Sequence, residues 1–218
     1  MVLTLDPGVR EYAWRSLVIA SAATLVASLI GVPAGVLIAE HRFRGKRGVV
    51  VMLNTLLGIP TVVVGLVVYS FLSRSGPLGG MEMLFTVPGI VVGEVLLILP
   101  IVTAFTLSAV ARTDRDVRKT TLALGASGGQ ALWTVVGESR FGVLAAVIAA
   151  YGRVVSEVGV AMIVGGNVDG FTRTMTTAIV VNVDMGRSAL ALALGMVLLA
   201  ISLSINAVFQ CLQGEASE

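Results

Sequence analysis

Apolar residues run through this chain in long blocks, not in the short alternations or narrow stripes of a water-soluble fold. Five blocks, 17–39, 48–72, 84–111, 141–165 and 188–212, reach the length of about 20 mostly apolar residues that a bilayer-crossing helix needs. The third is longer than a span requires, so part of it tilts or projects from the lipid. Gly31, Pro33, Gly58, Pro60, Pro88 and Pro100 fall inside these blocks. They would count against helices in water, but within a membrane neighbouring helices re-satisfy the freed backbone groups. Small residues also let helices approach closely, and 189–195 (Ala-Leu-Ala-Leu-Ala-Leu-Gly) offers a small face and a leucine face.

The polar stretches give the topology. Residues 9–16 carry Tyr12 and Trp14, which suit the headgroup region, and read as a short interfacial helix. Residues 73–83 are turn-like. Within 166–187, the apolar run 175–183 is too short to cross and reads as a re-entrant or interfacial helix flanked by Asp169, Arg173, Asp184 and Arg187. Loop 41–47 (Arg42, Arg44, Lys46, Arg47) and loop 112–140 (Arg112, Arg115, Arg118, Lys119, Arg140) hold nine basic residues, against five (Arg10, Arg15, Arg74, Arg173, Arg187) on the other side. Basic loops stay in the cytoplasm, which puts the N-terminus outside and the C-terminus inside.

Composition agrees with a membrane protein. Of 218 residues, 56% are hydrophobic and 13% charged, with mean hydropathy +0.95, whereas soluble domains carry about 25% charged residues. The expected fold is an all-α integral membrane protein, one transmembrane domain over 1–218, with about five spans. A net charge of +2 is divided among membrane-flanking segments and forms no nucleic-acid patch. The single Cys211 excludes an internal disulfide, His41 is the one histidine, and no metal-ligand spacing or cleavable signal peptide is evident. So sparse a set of nucleophiles and bases argues against a membrane enzyme. The absence of an internal repeat argues against a self-contained secondary transporter.

Two features carry candidate chemistry. Loop 112–140 reads as two short helices broken at Gly125–Gly129, a projecting hairpin suited to docking a soluble partner. Its Ala126-Ser-Gly-Gly-Gln resembles the signature of an ATP-hydrolysing cassette, but the chain has no phosphate-cradling Gly-x-x-x-x-Gly-Lys-Ser/Thr loop. The second feature is charge within the spans. Arg153 and Glu157 lie four residues apart, on one helix face where they can pair, and Glu94 is an alternative partner for Arg153. Such groups face a bundle interior or a water-filled cavity, so the pair either lines an anion pathway or clamps helices. Asn54, Thr61 and Ser156 offer transient hydrogen bonds to a passing ion, or hold helices together.

Several stretches carry a family resemblance that extends over essentially the whole chain. They are Gly31-Val-Pro-Ala-Gly-Val-Leu-Ile-Ala-Glu with the basic His-Arg-Phe-Arg-Gly-Lys after it, Gly58-Ile-Pro-Thr-Val-Val-Val-Gly, Ser73-Arg-Ser-Gly-Pro-Leu-Gly, Arg140 to Gly159, Met162-Ile-Val-Gly-Gly-Asn, and Thr172-Arg-Thr-Met-Thr-Thr-Ala-Ile. Together they resemble permease subunits of ATP-binding-cassette importers of the molybdate and tungstate type, tungstate permeases most of all. In that family a Glu-Ala-Ala-spacer-Gly motif in a cytoplasmic loop couples to the ATPase. Aligned on Gly125, its aliphatic position is Val135, while Lys119, Thr120 and Thr121 replace Glu-Ala-Ala and Gly137-Glu138 replaces Leu-Pro. The resemblance implies that Thr120, Thr121, Ala123, Leu124, Gly125, Ala126 and Ser127 contact the ATPase. It further implies a homodimer in a bacterial or archaeal cell membrane, two ATPase copies and an extracytoplasmic oxyanion-binding protein. No cofactor is expected on this chain, with ATP and Mg held by the ATPase. Within the family, molybdate and sulfate are the alternative substrates.

Overall fold

The computed structural model describes residues 7–41, 43–113 and 115–214. Arg42 of the basic loop, residues 1–6 and 215–218, and the side chains of Arg115 and Cys211 lie outside the described residues. Among the described residues there are ten α-helices: α1 (Pro7–Glu40), α2 (Lys46–Leu56), α3 (Thr61–Leu72), α4 (Val87–Arg112), α5 (Arg115–Ala123), α6 (Gly128–Glu138), α7 (Arg140–Val155), α8 (Gly159–Gly165), α9 (Met175–Asp184) and α10 (Ser188–Gly214). Three stretches, Gly8–Glu40, Val87–Arg112 and Ser188–Ala207, are each long and apolar enough to cross a bilayer. The broken pairs α2–α3 and α6–α7 bring the number to as many as five.

Contacts group the chain into two compact units, with the divisions falling inside α1, α4 and α7 and between α2 and α3. The first comprises residues up to 25, 59–97 and 151 onward. Its core joins Ile19, Ile90 and Ala161 in one cluster and Val9, Met175, Ala178 and Leu194 in another. Gly93 lets α4 meet α8 so closely that a Cβ there would lie 2.6 Å from Val160 Cγ1. In the second unit, 26–58 and 98–150, Val36, Val110 and Val135 pack together, as do Leu53, Ala104 and Leu107. Large apolar side chains such as Leu29, Leu66, Leu192 and Leu199 point outward, as they do when the solvent is hydrocarbon.

The helix boundaries depart from the sequence expectation in three places. Residues 9–16 form no separate interfacial helix but are the start of α1, because Val9 is buried against Met175, Ala178 and Leu194 and nothing in between breaks the helix. The second span is interrupted before Thr61, where Pro60 adopts an extended ψ of 128° and supplies no amide donor. The fourth, expected as one helix over 141–165, stops at Val155 and resumes at Gly159. The apolar run after Arg173 does form a short helix, α9.

Gly35 sets the approach of α1 to α4 in the second unit. A Cβ there would lie 2.7 Å from the Thr103 carbonyl oxygen and 2.8 Å from Thr106 Cβ. Since a backbone atom cannot swing aside, Gly35→Val is expected to destabilise the protein by about 1–3 kcal/mol, typical of overpacking. Thermal unfolding of the detergent-solubilised variant measures this, and an unchanged midpoint would contradict the close approach.

Candidate functional site: a capped hairpin and a broken helix

The hairpin of α5 and α6 is closed by its own residues. At the end of α5, the Ala126 amide donates to the Thr121 carbonyl (3.2 Å) and the Gly125 amide to the Leu122 carbonyl (3.0 Å). These two bonds form a Schellman motif, which requires a left-handed residue, and Gly125 supplies it with φ of 89°. Two residues later Ser127 starts α6. Its hydroxyl accepts from the Gln130 amide at 3.3 Å while Gln130 Oε1 accepts from the Ser127 amide at 2.8 Å. This reciprocal capping box gives the Ser-Gly-Gly-Gln sequence a local role as a helix start. The break falls at 124–127, and Gly128 and Gly129 open α6 instead of belonging to the turn.

Thr120, Thr121 and Ala123 lie on α5, and Leu124, Gly125, Ala126 and Ser127 form the tip. Thr121 is half-buried and its hydroxyl donates to the Val117 carbonyl (2.7 Å), so it serves α5 itself. Sequence reasoning passed over Trp133, which with Leu124 leaves a bare apolar surface on the hairpin: Leu124 is 83% and Trp133 77% exposed. It also passed over the ties to the rest of the unit. Arg118 of α5 forms an ion pair with Glu40 at the end of α1. Thr113 Oγ1 and Ser139 Oγ, at the two ends of the hairpin, are 2.6 Å apart. Beside the hairpin, a cleft of about 760 Å³ runs between α4 and α7, with Ser108, Arg112, Thr113, Glu138 and Ser139 among its lining.

In the first unit, the break between α7 and α8 is organised by Glu157. Its Oε2 accepts from Arg153 Nη1 at 2.7 Å. Its Oε1 accepts from the amides of Gly159 (2.8 Å) and Val160 (3.3 Å), the first free donors of α8. The pair expected from the sequence is therefore formed, but with Glu157 beyond the end of α7, not on a continuous helix. A carboxylate suits this position because the N-terminal amides and helix dipole favour negative charge. Thr176 Oγ1 donates to the Glu157 carbonyl at 2.7 Å, fastening the break to α9. Glu94 does not take Arg153: it is 2% exposed, and among the described residues its Oε2 has no hydrogen-bond partner. Glu94, Glu157, Ser16, Thr174 and Thr176 border a cavity of about 10 Å³, room for about one water molecule.

The remaining sequence candidates do not join this cluster. Asn54 is exposed on α2. Thr61 opens α3 and lies close to α8, since a Cβ on Gly159 would be 2.7 Å from its hydroxyl oxygen. Ser156 is exposed, and its hydroxyl turns back to the carbonyls of Gly152 and Arg153, both at 3.1 Å.

A second polar cluster ties the start of α1 to the segment before α9. The Tyr12 hydroxyl donates to Asp169 Oδ1 at 2.8 Å, and Arg173 bridges to Asp169 Oδ2 at 2.9 Å. Arg15 donates to the carbonyls of Gly170 (2.8 Å) and Arg173 (2.9 Å). A capping box at Thr174 and Thr177 then starts α9.

With this geometry in place, comparison with known proteins gives a consistent result. The sequence pattern of the family described as "Binding-protein-dependent transport system inner membrane component" matches residues 31–214. The chain belongs to that family of multi-pass inner-membrane transport components. It is 41% identical over 198 residues to a "Probable anion ABC transporter permease protein" of Haloferax volcanii, covering 88% of this chain and 85% of that protein. It is 37% identical over 215 residues to the "Tungstate uptake system permease protein TupB" of Peptoclostridium acidaminophilum, covering 99% and 94%. In three dimensions it is similar to the crystal structure of an amino acid ABC transporter with histidines. There the TM-score is 0.72 at 12% identity, with 96% of this chain and 94% of that one covered. At that identity the likeness concerns the fold alone.

The Tyr12–Asp169 cluster has a pH signature. The Tyr12 hydroxyl, ahead of Arg173, the Gly170 amide and Arg15, holds the Asp169 carboxyl below its ordinary value of 3.8, against a raising effect of burial. A lowered folded-state value contributes stability above the ordinary value and loses it as pH falls through the lowered one. Tyr12→Phe removes the largest cause. The wild type is therefore expected to melt higher than Tyr12→Phe at neutral pH, with the gap narrowing below pH 3.8. A gap that stays constant down to acid pH would contradict this.

Proposed function

We propose that this chain is the membrane-spanning permease subunit of an ATP-driven importer whose substrate is an oxyanion, tungstate. The observation that carries this reading is the similarity to a tungstate uptake permease over nearly the full length of both chains. The relative whose name specifies only an anion supports the broader substrate class. The capped hairpin with its exposed Leu124 and Trp133 supports a docking role toward a soluble ATPase, which hydrolyses ATP with its own Mg. An external binding protein delivers the anion. Two copies of the chain, served by two ATPases, form the pathway, with the N-terminus outside and the hairpin and C-terminus in the cytoplasm.

Transport then proceeds by alternating access: closure of the ATPases on ATP moves the hairpins, and the helices open outward. Thr120, Thr121, Ala123, Leu124, Gly125, Ala126 and Ser127 form the coupling surface and its frame. Of the polar residues in the spans, Asn54, Thr61 and Ser156 remain candidates for transient contact with the ion. Arg153 and Glu157 serve better as the clamp of the α7–α8 break, because both carboxylate oxygens of Glu157 are engaged there.

The reading is tested by expressing the chain with its ATPase and binding protein in cells lacking oxyanion uptake of their own, and measuring accumulation of tungstate, molybdate and sulfate. Tungstate uptake, with co-purification of an ATPase whose turnover vanadate blocks, is the expected outcome. Uptake without the ATPase would overturn it. In Gly125→Trp, a side chain at φ of 89° distorts the tip. That variant is expected to insert normally yet hydrolyse ATP without accumulating the ion, and normal uptake in it would remove the hairpin from the coupling role.

A further inference from the structure

The hairpin touches the part of α1 that lies in its own unit through both of its arms, and the two contacts differ in kind. On α6, Val135 packs with Val36 and Val110, and Leu132 and Val136 flank the cluster. Apolar contact of this sort is non-directional and lets one surface slide over another. On α5, Arg118 forms an ion pair with Glu40, the last residue of α1. A charge-assisted bond fixes direction as well as distance.

Glu40 is itself held in place. Its side chain is 12% exposed, and the carbonyls around it are closed by Lys46, whose Nζ donates to Ala39 at 2.7 Å and His41 at 3.2 Å. At the other end of the hairpin, the Thr113–Ser139 hydroxyl contact keeps its two ends together. The Glu40–Arg118 pair thus gives the hairpin, as a body, a directional attachment to α1. We infer that the Glu40–Arg118 pair is a positioning linkage that passes displacement of the hairpin to α1, so that α1 moves with the ATPase instead of being left behind. This inference rests on the reading of the hairpin as the coupling element.

The experiment uses the complete transporter, with ATPase and binding protein, in proteoliposomes, and measures ions accumulated per ATP hydrolysed. The variants are Glu40→Gln, Arg118→Gln and the reversed pair Glu40→Arg with Arg118→Glu. Each single variant is expected to keep its ATPase and its turnover while transport per ATP falls at least about fivefold, the lower end of typical coupling between sites. The reversed pair is expected to recover most of that loss. Unchanged transport per ATP in both single variants would overturn the linkage. Loss of insertion or of the ATPase in the single variants would assign the pair to folding, and would overturn it too. A Trp133→Cys variant separates the two readings. If it fails to cross-link to the ATPase, the hairpin assignment falls and this inference with it. If it cross-links while the single variants transport normally, the inference alone falls.

Discussion

Backbone amides and carbonyls find no water inside a bilayer, so every interruption of a helix there must be closed by the protein itself. This chain interrupts its helices repeatedly, and side chains meet the requirement at several of the breaks, though not before Thr61, where no side chain caps α3. Glu157 closes the start of α8, and Thr174 with Thr177 closes the start of α9. Ser127 with Gln130 closes α6. Lys46 closes the end of α1. A side-chain cap contributes about 1 kcal/mol, and a bond to a charged group about 1.5–3. Without such bonds each of these helix ends would leave backbone donors or acceptors unsatisfied.

The same constraint explains why the two candidate regions look so unlike each other. In the first unit the polar groups turn toward one another around a buried Glu157. Arg153, Glu157 and Thr176 satisfy one another around a break, and their order depends on all of them being present. A network of this kind fixes a single geometry, because the removal of one member strands the rest. The hairpin in the second unit uses its polar groups on its own turns and presents apolar side chains outward. One region is built to hold a shape and the other presents a bare apolar surface.

Much of this was legible in the sequence. The five apolar blocks gave the helices, since length and hydropathy alone decide which segments can cross lipid. The spacing of Arg153 and Glu157 gave their pairing. The helix ends were not legible from hydropathy, because the residues at 156–158 are too few to dent an apolar average. The signal was there in another form: a carboxylate two residues before Gly159 at a helix start. Likewise Ser127-x-x-Gln130 is a capping signature that the residue types and their spacing suffice to reveal. The Glu40–Arg118 pair could not be read, because it joins residues 78 positions apart and many basic residues share that loop.

The self-sufficiency of the hairpin turn bears on how such a sequence can vary over time. Gly125, Ser127 and Gln130 are committed to geometry, whereas Lys119 and Thr120 contribute no bond to the Schellman motif or the capping box. A substitution at either position therefore leaves the bonds of the turn and of the cap in place. The shape of the turn is therefore set at Gly125, Ser127 and Gln130, and can persist while side chains on the arm before it change.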